Sequence, residues 1–325
     1  MKKKILLITT GGTIAMKYNS PVGIVPDDEF VDHLRSYPQL ENLAFIHVAE
    51  FSNIPSPYMN SELMMRLVRF VEDKIEDYDG VVITHGTDTL EESAYFLDLV
   101  LETQKPVVFT AAMRSGSELG LDGPRNIVGA VRVASCPEAT GKGVLVVMND
   151  EINAARDVVK TDSGKTNSFI TPSYGLLGTI DPDRVIFYRQ STKMEKIKTK
   201  EIESNIDLIR CVSGIDGRYI ECSLQHHAKA IVIEAFGRGN VPPTMVEPIK
   251  KAIAQNVLVV VVSRTYTGRV LPEYGYKGGG SMLQRMGVIL GEDLKGHKMR
   301  IKLMVLFGKY KSVEKVKKYL LEKPI

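Results

Sequence analysis

Along the first half of the chain, short β-rich runs alternate with longer stretches in which apolar residues recur every three or four positions. The short runs are Ile5–Ile8, Phe45–Val48, Val81–Ile83, Val107–Phe109 and Val144–Met148. Runs that are almost wholly apolar leave no face for water, so they predict strands of a parallel sheet covered on both sides. Between them, Asn60 is a good N-cap for a helix that spaces Leu63, Leu67, Val71 and Ile75 four residues apart, with Met64 and Val68 flanking the stripe. A second helical pattern covers Leu90–Leu101, with Ala94, Leu97 and Leu101 facing inward. This alternation predicts a doubly wound, flavodoxin-like α/β domain over residues 1–188.

The pattern breaks near Arg189. Gln190–Glu203 is polar and Lys-rich, which predicts a solvated linker across residues 189–207. A smaller α/β domain is expected over 208–325. Ala230–Ile233 and Val257–Val262 read as its strands, and Pro243–Ala254, His297–Phe307 and Ser312–Leu321 as its helices. Gly278-Gly279-Gly280 follows no apolar run and reads as a mobile loop.

Composition narrows the function. The 325 residues carry 42 basic and 39 acidic side chains, a balance too even for a protein that gains affinity by neutralising many phosphates. Nucleic acid is therefore not an expected partner. No stretch approaches the ~20 apolar residues of a membrane span, so no membrane is expected either. The apolar run behind Lys2-Lys3-Lys4 stops at Ile8, short of a signal-peptide core. Cys136, Cys211 and Cys222 are odd in number and share no CxxC spacing. A cytoplasmic protein is the expectation.

Ligands of open α/β sheets bind beyond the carboxyl ends of the strands, so the residues after each strand carry the chemical information. Thr9-Thr10-Gly11-Gly12-Thr13-Ile14-Ala15 follows the first run, and Thr84-His85-Gly86-Thr87-Asp88-Thr89 follows the third. In both, glycine lets the chain turn sharply and a threonine hydroxyl comes next. A hydroxyl is a weak nucleophile until a base takes its proton. Asp88 could orient a lysine for that task, and Lys160, in Arg156-Asp157-Val158-Val159-Lys160-Thr161, is one candidate among many lysines. His85 reads as a structural hydrogen-bonder rather than a base, since no carboxylate stands at a telling spacing. No GxGxxG, GxxxxGK[ST], HExxH or GxSxG is present, so neither a cofactor nor a metal is expected.

Thr10-Gly11-Gly12-Thr13-Ile14-Ala15 and His85-Gly86-Thr87-Asp88-Thr89-Leu90 resemble, in order and spacing, the two signatures of the bacterial-type L-asparaginases. Asp122-Gly123-Pro124, Gly143–Asp150 and Arg156–Thr161 extend the likeness through the first domain, and Gly237-Arg238-Gly239-Asn240 and Ser263-Arg264 carry it more loosely into the second. The resemblance implies hydrolysis of L-asparagine to L-aspartate and ammonia without a cofactor, the alternatives being a mixed glutaminase-asparaginase or a catalytically silent amino-acid-binding protein. It implies that Thr13 is the nucleophile, that Thr87, Asp88 and Lys160 form a second triad, and that Asp88 and Thr87 also bind substrate. Ser56 matches the serine that holds the substrate's α-carboxylate. Asn240 matches an asparagine reaching in from a neighbouring subunit, within a homodimer or homotetramer whose sites are shared between chains.

The chain departs from the family pattern in three places. The family's lid tyrosine corresponds to Ser20 when Val22-Gly23 is aligned, which leaves Tyr18 as the candidate. The position after the carboxylate-binding serine, usually Gln or Glu, is Pro57. The intersubunit acid corresponds to Glu273 in a divergent stretch, Leu271–Gly280.

Overall fold

The computed structural model describes residues 2–35, 37–191 and 193–323. It divides into two compact units, Met1–Lys196 and Ile197–Ile325. The strands of the first unit are β1 (Lys3–Gly11), β2 (Met16–Asn19), β3 (Gly23–Pro26), β4 (Ala44–Ile54), β5 (Gly80–Thr84), β6 (Val107–Thr110), β7 (Val144–Met148), β8 (Glu151–Ala154), β9 (Val159–Lys160), β10 (Phe169–Ile170), β11 (Gly178–Ile180) and β12 (Val185–Phe187). Its helices are α1 (Phe30–Arg35), α2 (Pro38–Leu43), α3 (Ser61–Glu72), α4 (Leu90–Val100) and α5 (Gly123–Ala134).

Eight strands form the main sheet in the order β12-β11-β8-β7-β6-β5-β1-β4. From β4 to β7 all neighbours are parallel. Taken in chain order, these five strands stand second, first, third, fourth, fifth, which is the flavodoxin-like arrangement. β8, β11 and β12 extend it with antiparallel pairs. The winding reverses between β1 and β5, so their carboxyl ends flank the crevice where such sheets take ligands.

Both faces of the sheet are covered. α3 buries Met64, Met65, Leu67, Val68 and Val71, and Asn60 Oδ1 accepts from the Leu63 amide at 2.9 Å, capping the helix. The buried stripe is rotated from the one read off the sequence: Leu63 is only half-buried, Met65 is buried, and Ile75 falls in a separate 3-10 turn after the helix. On the opposite face α5 buries Ile127, Ala130, Val131 and Val133. Its apolar period is faint in the sequence because glycine and alanine fill much of its inward side, although Asp122-Gly123-Pro124 carries a helix start.

β1 and β4 run well past their apolar cores. Lys3 pairs with Ala44 and Gly11 with Ile54, because ladder hydrogen bonds do not need apolar side chains to continue. β2 and β3 form an antiparallel hairpin, Met16 opposite Pro26.

The second unit holds β13 (Ile206–Arg210), β14 (Ala230–Ala235), β15 (Leu258–Ser263) and β16 (Ile289–Leu290), parallel and in that spatial order. Its helices are α6 (Arg218–Gln225), α7 (Val246–Ala254), α8 (Gly280–Arg285), α9 (Gly296–Tyr310) and α10 (Val313–Glu322). Two expectations are corrected. The Gly278–Gly280 stretch is buried and tightly packed: a Cβ on Gly278 would lie 2.2 Å from the Val241 carbonyl oxygen. The polar stretch between the domains is not simply solvated, for Ile197 is fully buried and the Lys196 ammonium donates to Asp98 Oδ1 at 3.3 Å. Its lysine-rich composition hid these anchors.

Candidate active site

Three loops meet at the carboxyl ends of β1, β4 and β5. Gly12, just past β1, has φ +81°, and its amide donates to the Ile54 carbonyl at the end of β4 at 3.0 Å. A Cβ on Gly12 would sit 2.1 Å from Gly86 Cα, and one on Gly86 would sit 2.6 Å from Ser56 Cβ. The two glycine corners therefore touch backbone to backbone, with Ser56 against them. No other residue type permits that approach. Thr13 and Thr87 each follow the contact by one residue, about 3.8 Å along the chain.

The strands behind hold the corners in register. Thr9 pairs with Thr84 across β1 and β5, and the Thr10 hydroxyl donates to the Thr84 carbonyl at 2.9 Å. Thr13 opens a 3-10 turn, Thr13–Ala15, and its hydroxyl finds no hydrogen-bond partner among the described residues. That leaves it free for a ligand.

Around Thr87 the groups are paired. Lys160 Nζ donates to Thr87 Oγ1 at 2.9 Å and to Asp88 Oδ1 at 2.7 Å. The lysine side chain is 16% exposed, the aspartate 60%, and Thr87 is buried. The structure thus brings Thr87, Asp88 and Lys160 into one cluster, though Lys160 lies more than seventy positions further along the chain. Ser56 Oγ accepts from the Asp88 amide at 3.2 Å, and the Ser56 carbonyl accepts from the Thr89 hydroxyl at 2.8 Å. Pro57 beside it is exposed.

His85 is fully buried below this corner, and its ring Nδ1 lies 2.8 Å from the Gly86 carbonyl. A carbonyl only accepts, so Nδ1 carries the proton and donates. Burial pushes the imidazole pKa down to about 4, against a smaller opposing effect of that hydrogen bond. At neutral pH the ring is uncharged, which suits a scaffold role.

Tyr18 lies on the hairpin strand β2, 60% exposed, with its amide donating to Ser117 Oγ at 3.0 Å; the Gly116 amide donates to the Met16 carbonyl at 3.1 Å. Ser20 is exposed at the hairpin turn. Asn240 and Glu273 belong to the second unit. There Asn240 Oδ1 accepts from the Gly280 amide at 3.2 Å, and Glu273 stands 3.9 Å from Arg238 in a loose ion pair. Pattern reading passed over Glu91, whose carboxylate accepts from the Lys160 amide at 3.2 Å. Its signal was an acid in the first turn of a helix otherwise buried at Leu90, Ser93 and Ala94. Among the described residues no group of His, Cys, Asp and Glu could hold a metal ion. No helix among them is long and apolar enough to cross a membrane.

With this geometry in place, comparison with known families is decisive. Residues 4–193 match the description "Asparaginase, N-terminal", and residues 205–320 match "Glutaminase/Asparaginase C-terminal domain". The chain belongs to the asparaginase family. Among named members, an L-asparaginase of Bacillus licheniformis is 36% identical, over 96% of this chain and 97% of that one. A glutaminase-asparaginase of Pseudomonas fluorescens biotype A is 32% identical over 94% of this chain and 86% of its own. A solved structure of a probable cytoplasmic L-asparaginase from Campylobacter jejuni superposes with a TM-score of 0.87 at 34% identity, covering 98% of this chain and 99% of that one. As an asparaginase-family member the protein is a hydrolase, and its paired glycine corners are the two signatures standing side by side.

Proposed function

We propose that this protein hydrolyses L-asparagine to L-aspartate and ammonia through a threonine acyl-enzyme, with Thr13 as the nucleophile. The observation that supports the reading is the backbone contact of Gly12 with Gly86, one residue before Thr13 and Thr87 respectively, with Lys160 bonded to Thr87 and Asp88. Thr13 Oγ attacks the side-chain amide carbon, and its proton passes to a neighbouring base. Main-chain N–H groups at the corners stabilise the resulting oxyanion, an effect often worth about 3 kcal/mol per donor. Collapse expels the amide nitrogen, which leaves as ammonia after taking up a proton and leaves an aspartyl ester on Thr13. Water then attacks the ester carbon while its proton passes through Thr87 Oγ1 to Lys160 Nζ in the amine form; the Thr13 Oγ–carbon bond breaks, that proton returns to Thr13 Oγ, and L-aspartate departs.

Binding follows from the remaining groups. Ser56 Oγ already accepts from the Asp88 amide, so its own proton is available for the substrate's α-carboxylate. The Asp88 carboxylate, more than half exposed, suits the α-ammonium group. The β2–β3 hairpin, with Tyr18, acts as a lid that sheds water when substrate is bound. Sites are completed by Asn240 from a second copy, in a homodimer or homotetramer working in the cytoplasm. No cofactor or metal enters this scheme.

Glutamine is the second reading, favoured by the relative named glutaminase-asparaginase that matches over 94% of this chain. Ammonia release from purified protein with L-Asn, L-Gln and D-Asn, measured in parallel without added metal, tests both. Turnover of L-Asn is expected. None from L-Asn would end the proposal, and equal rates with L-Gln would move it to a mixed glutaminase-asparaginase.

A further inference from the structure

We infer that Glu91 is a positioning residue for the reaction, one that fixes Lys160 through the lysine's main chain. This rests on the asparaginase chemistry proposed above and concerns how its lysine is held. The Lys160 amine stands at the end of a flexible four-carbon stem, so its place depends on how firmly the backbone beneath it is anchored. That backbone is short of regular support. β9 contains only Val159 and Lys160, and its ladder is the two pairs Ile170–Val159 and Phe169–Lys160 of β10. A two-residue antiparallel ladder is a weak anchor in water. Thr161 adds one further tie, its amide donating to the Ser168 carbonyl at 2.7 Å.

Glu91 supplies a link of another kind. It lies in the first turn of α4, three residues after Asp88 and four after Thr87, and its carboxylate accepts from the Lys160 amide at 3.2 Å. The residue is only 8% exposed. Leu90, Ser93 and Ala94 around it are fully buried, and burying a carboxylate is costly unless its hydrogen bonds are made. An acid needed only to complement the helix dipole could stand in water. Here it is turned inward onto the catalytic lysine's main chain.

The consequence is a closed ring. Thr87 and Asp88, which receive the lysine amine, lie in the turn that leads into α4, and Glu91, in the first turn of the helix, receives the lysine backbone. Distances within the ring are thereby set by one five-residue segment entering α4, residues 87–91, and the weak β9–β10 ladder only has to orient the strand. Glu91 acts through Lys160 rather than on the reacting atoms.

The test compares Glu91→Met, which keeps bulk but removes the acceptor, with Glu91→Gln, which keeps an acceptor oxygen without the charge. Circular dichroism and thermal melting confirm that each is folded. Glu91→Met is expected to lower kcat for L-Asn roughly tenfold to a hundredfold, the scale of a small misplacement of a catalytic group, with KM within about threefold of wild type. Glu91→Gln is expected to stay within about threefold of wild-type kcat. Glu91→Asp, which draws the acceptor back by one methylene, gives an independent reading should the methionine variant not fold: it loses kcat if reach matters and keeps it if only a buried acid is needed. Wild-type kcat in Glu91→Met, an equal fall in Glu91→Met and Glu91→Gln, or full activity in Glu91→Asp each overturns the assignment. Inactive wild type on L-Asn rejects the asparaginase reading and the assignment with it; active wild type beside an equally active Glu91→Met rejects the assignment alone.

Discussion

Thr13 stands apart from the paired groups around it, and that isolation defines its expected phenotype. Because its hydroxyl bonds to none of the described residues, Thr13→Ala removes no structural contact of the side chain oxygen. The variant should melt within a degree or two of wild type and still bind L-aspartate, while kcat falls by about three orders of magnitude or more, the scale seen when a nucleophile is lost. Ammonia release near the wild-type rate would transfer the nucleophile's role elsewhere. Gly12→Ala should do the opposite. Its methyl would meet Gly86 Cα at 2.1 Å with φ at +81°, so folding itself should suffer by several kcal/mol in urea titration.

His85 gives a prediction about acid. The unfolded chain takes up a proton on this ring near pH 6.5, whereas the folded chain resists until about pH 4. The group's contribution is therefore intact above pH 6.5 and is lost progressively as the pH falls towards 4. Over that interval the linkage is worth about 3 kcal/mol. Urea midpoints of wild type and His85→Asn between pH 7 and pH 4.5 measure it: the wild type should lose stability more steeply, and parallel curves would refute the assignment.

At the scale of elements, the strands that position the site were readable because they are apolar and bounded by glycine. Ile5–Ile8 and Val81–Ile83 announce β1 and β5, and the corner residues follow immediately in the sequence. The short strands β8 to β12 are not readable, because two to four residues of ladder carry no period. Lys160 shows the same limit. Nothing in its spacing distinguishes it from other lysines until the family resemblance singles it out, since its partners are brought to it by folding. α3 is an element whose stability can be checked directly. Leu67 is fully buried, so Leu67→Ala should cost roughly 2–5 kcal/mol, and Asn60→Ala, which removes the cap on the Leu63 amide, about 1 kcal/mol. A cost at Asn60 as large as that at Leu67 would show that the asparagine does more than cap.

For the whole molecule, the proposed sharing of sites between copies can be tested by complementation. Thr13→Ala and Asn240→Ala are expected to be nearly inactive alone. Mixed after dissociation and reassembled, they should recover up to about a quarter of wild-type activity, because some sites then receive an intact Thr13 from one chain and an intact Asn240 from another. No recovery, with mixed oligomers confirmed by mass spectrometry, would place each site within one chain. Dilution adds a second measure: specific activity should fall with the population of assembled species followed by light scattering.

The bare main chain where Gly12 meets Gly86 has a bearing on redesign. In the site proposed above, a floor made of Cα atoms offers nothing to exchange, since any larger residue would pry its two halves apart. On that proposal, attempts to retune this hydrolase towards longer or shorter amides must work from Ser56, Pro57 and the hairpin carrying Tyr18, while the ground beneath stays as it is.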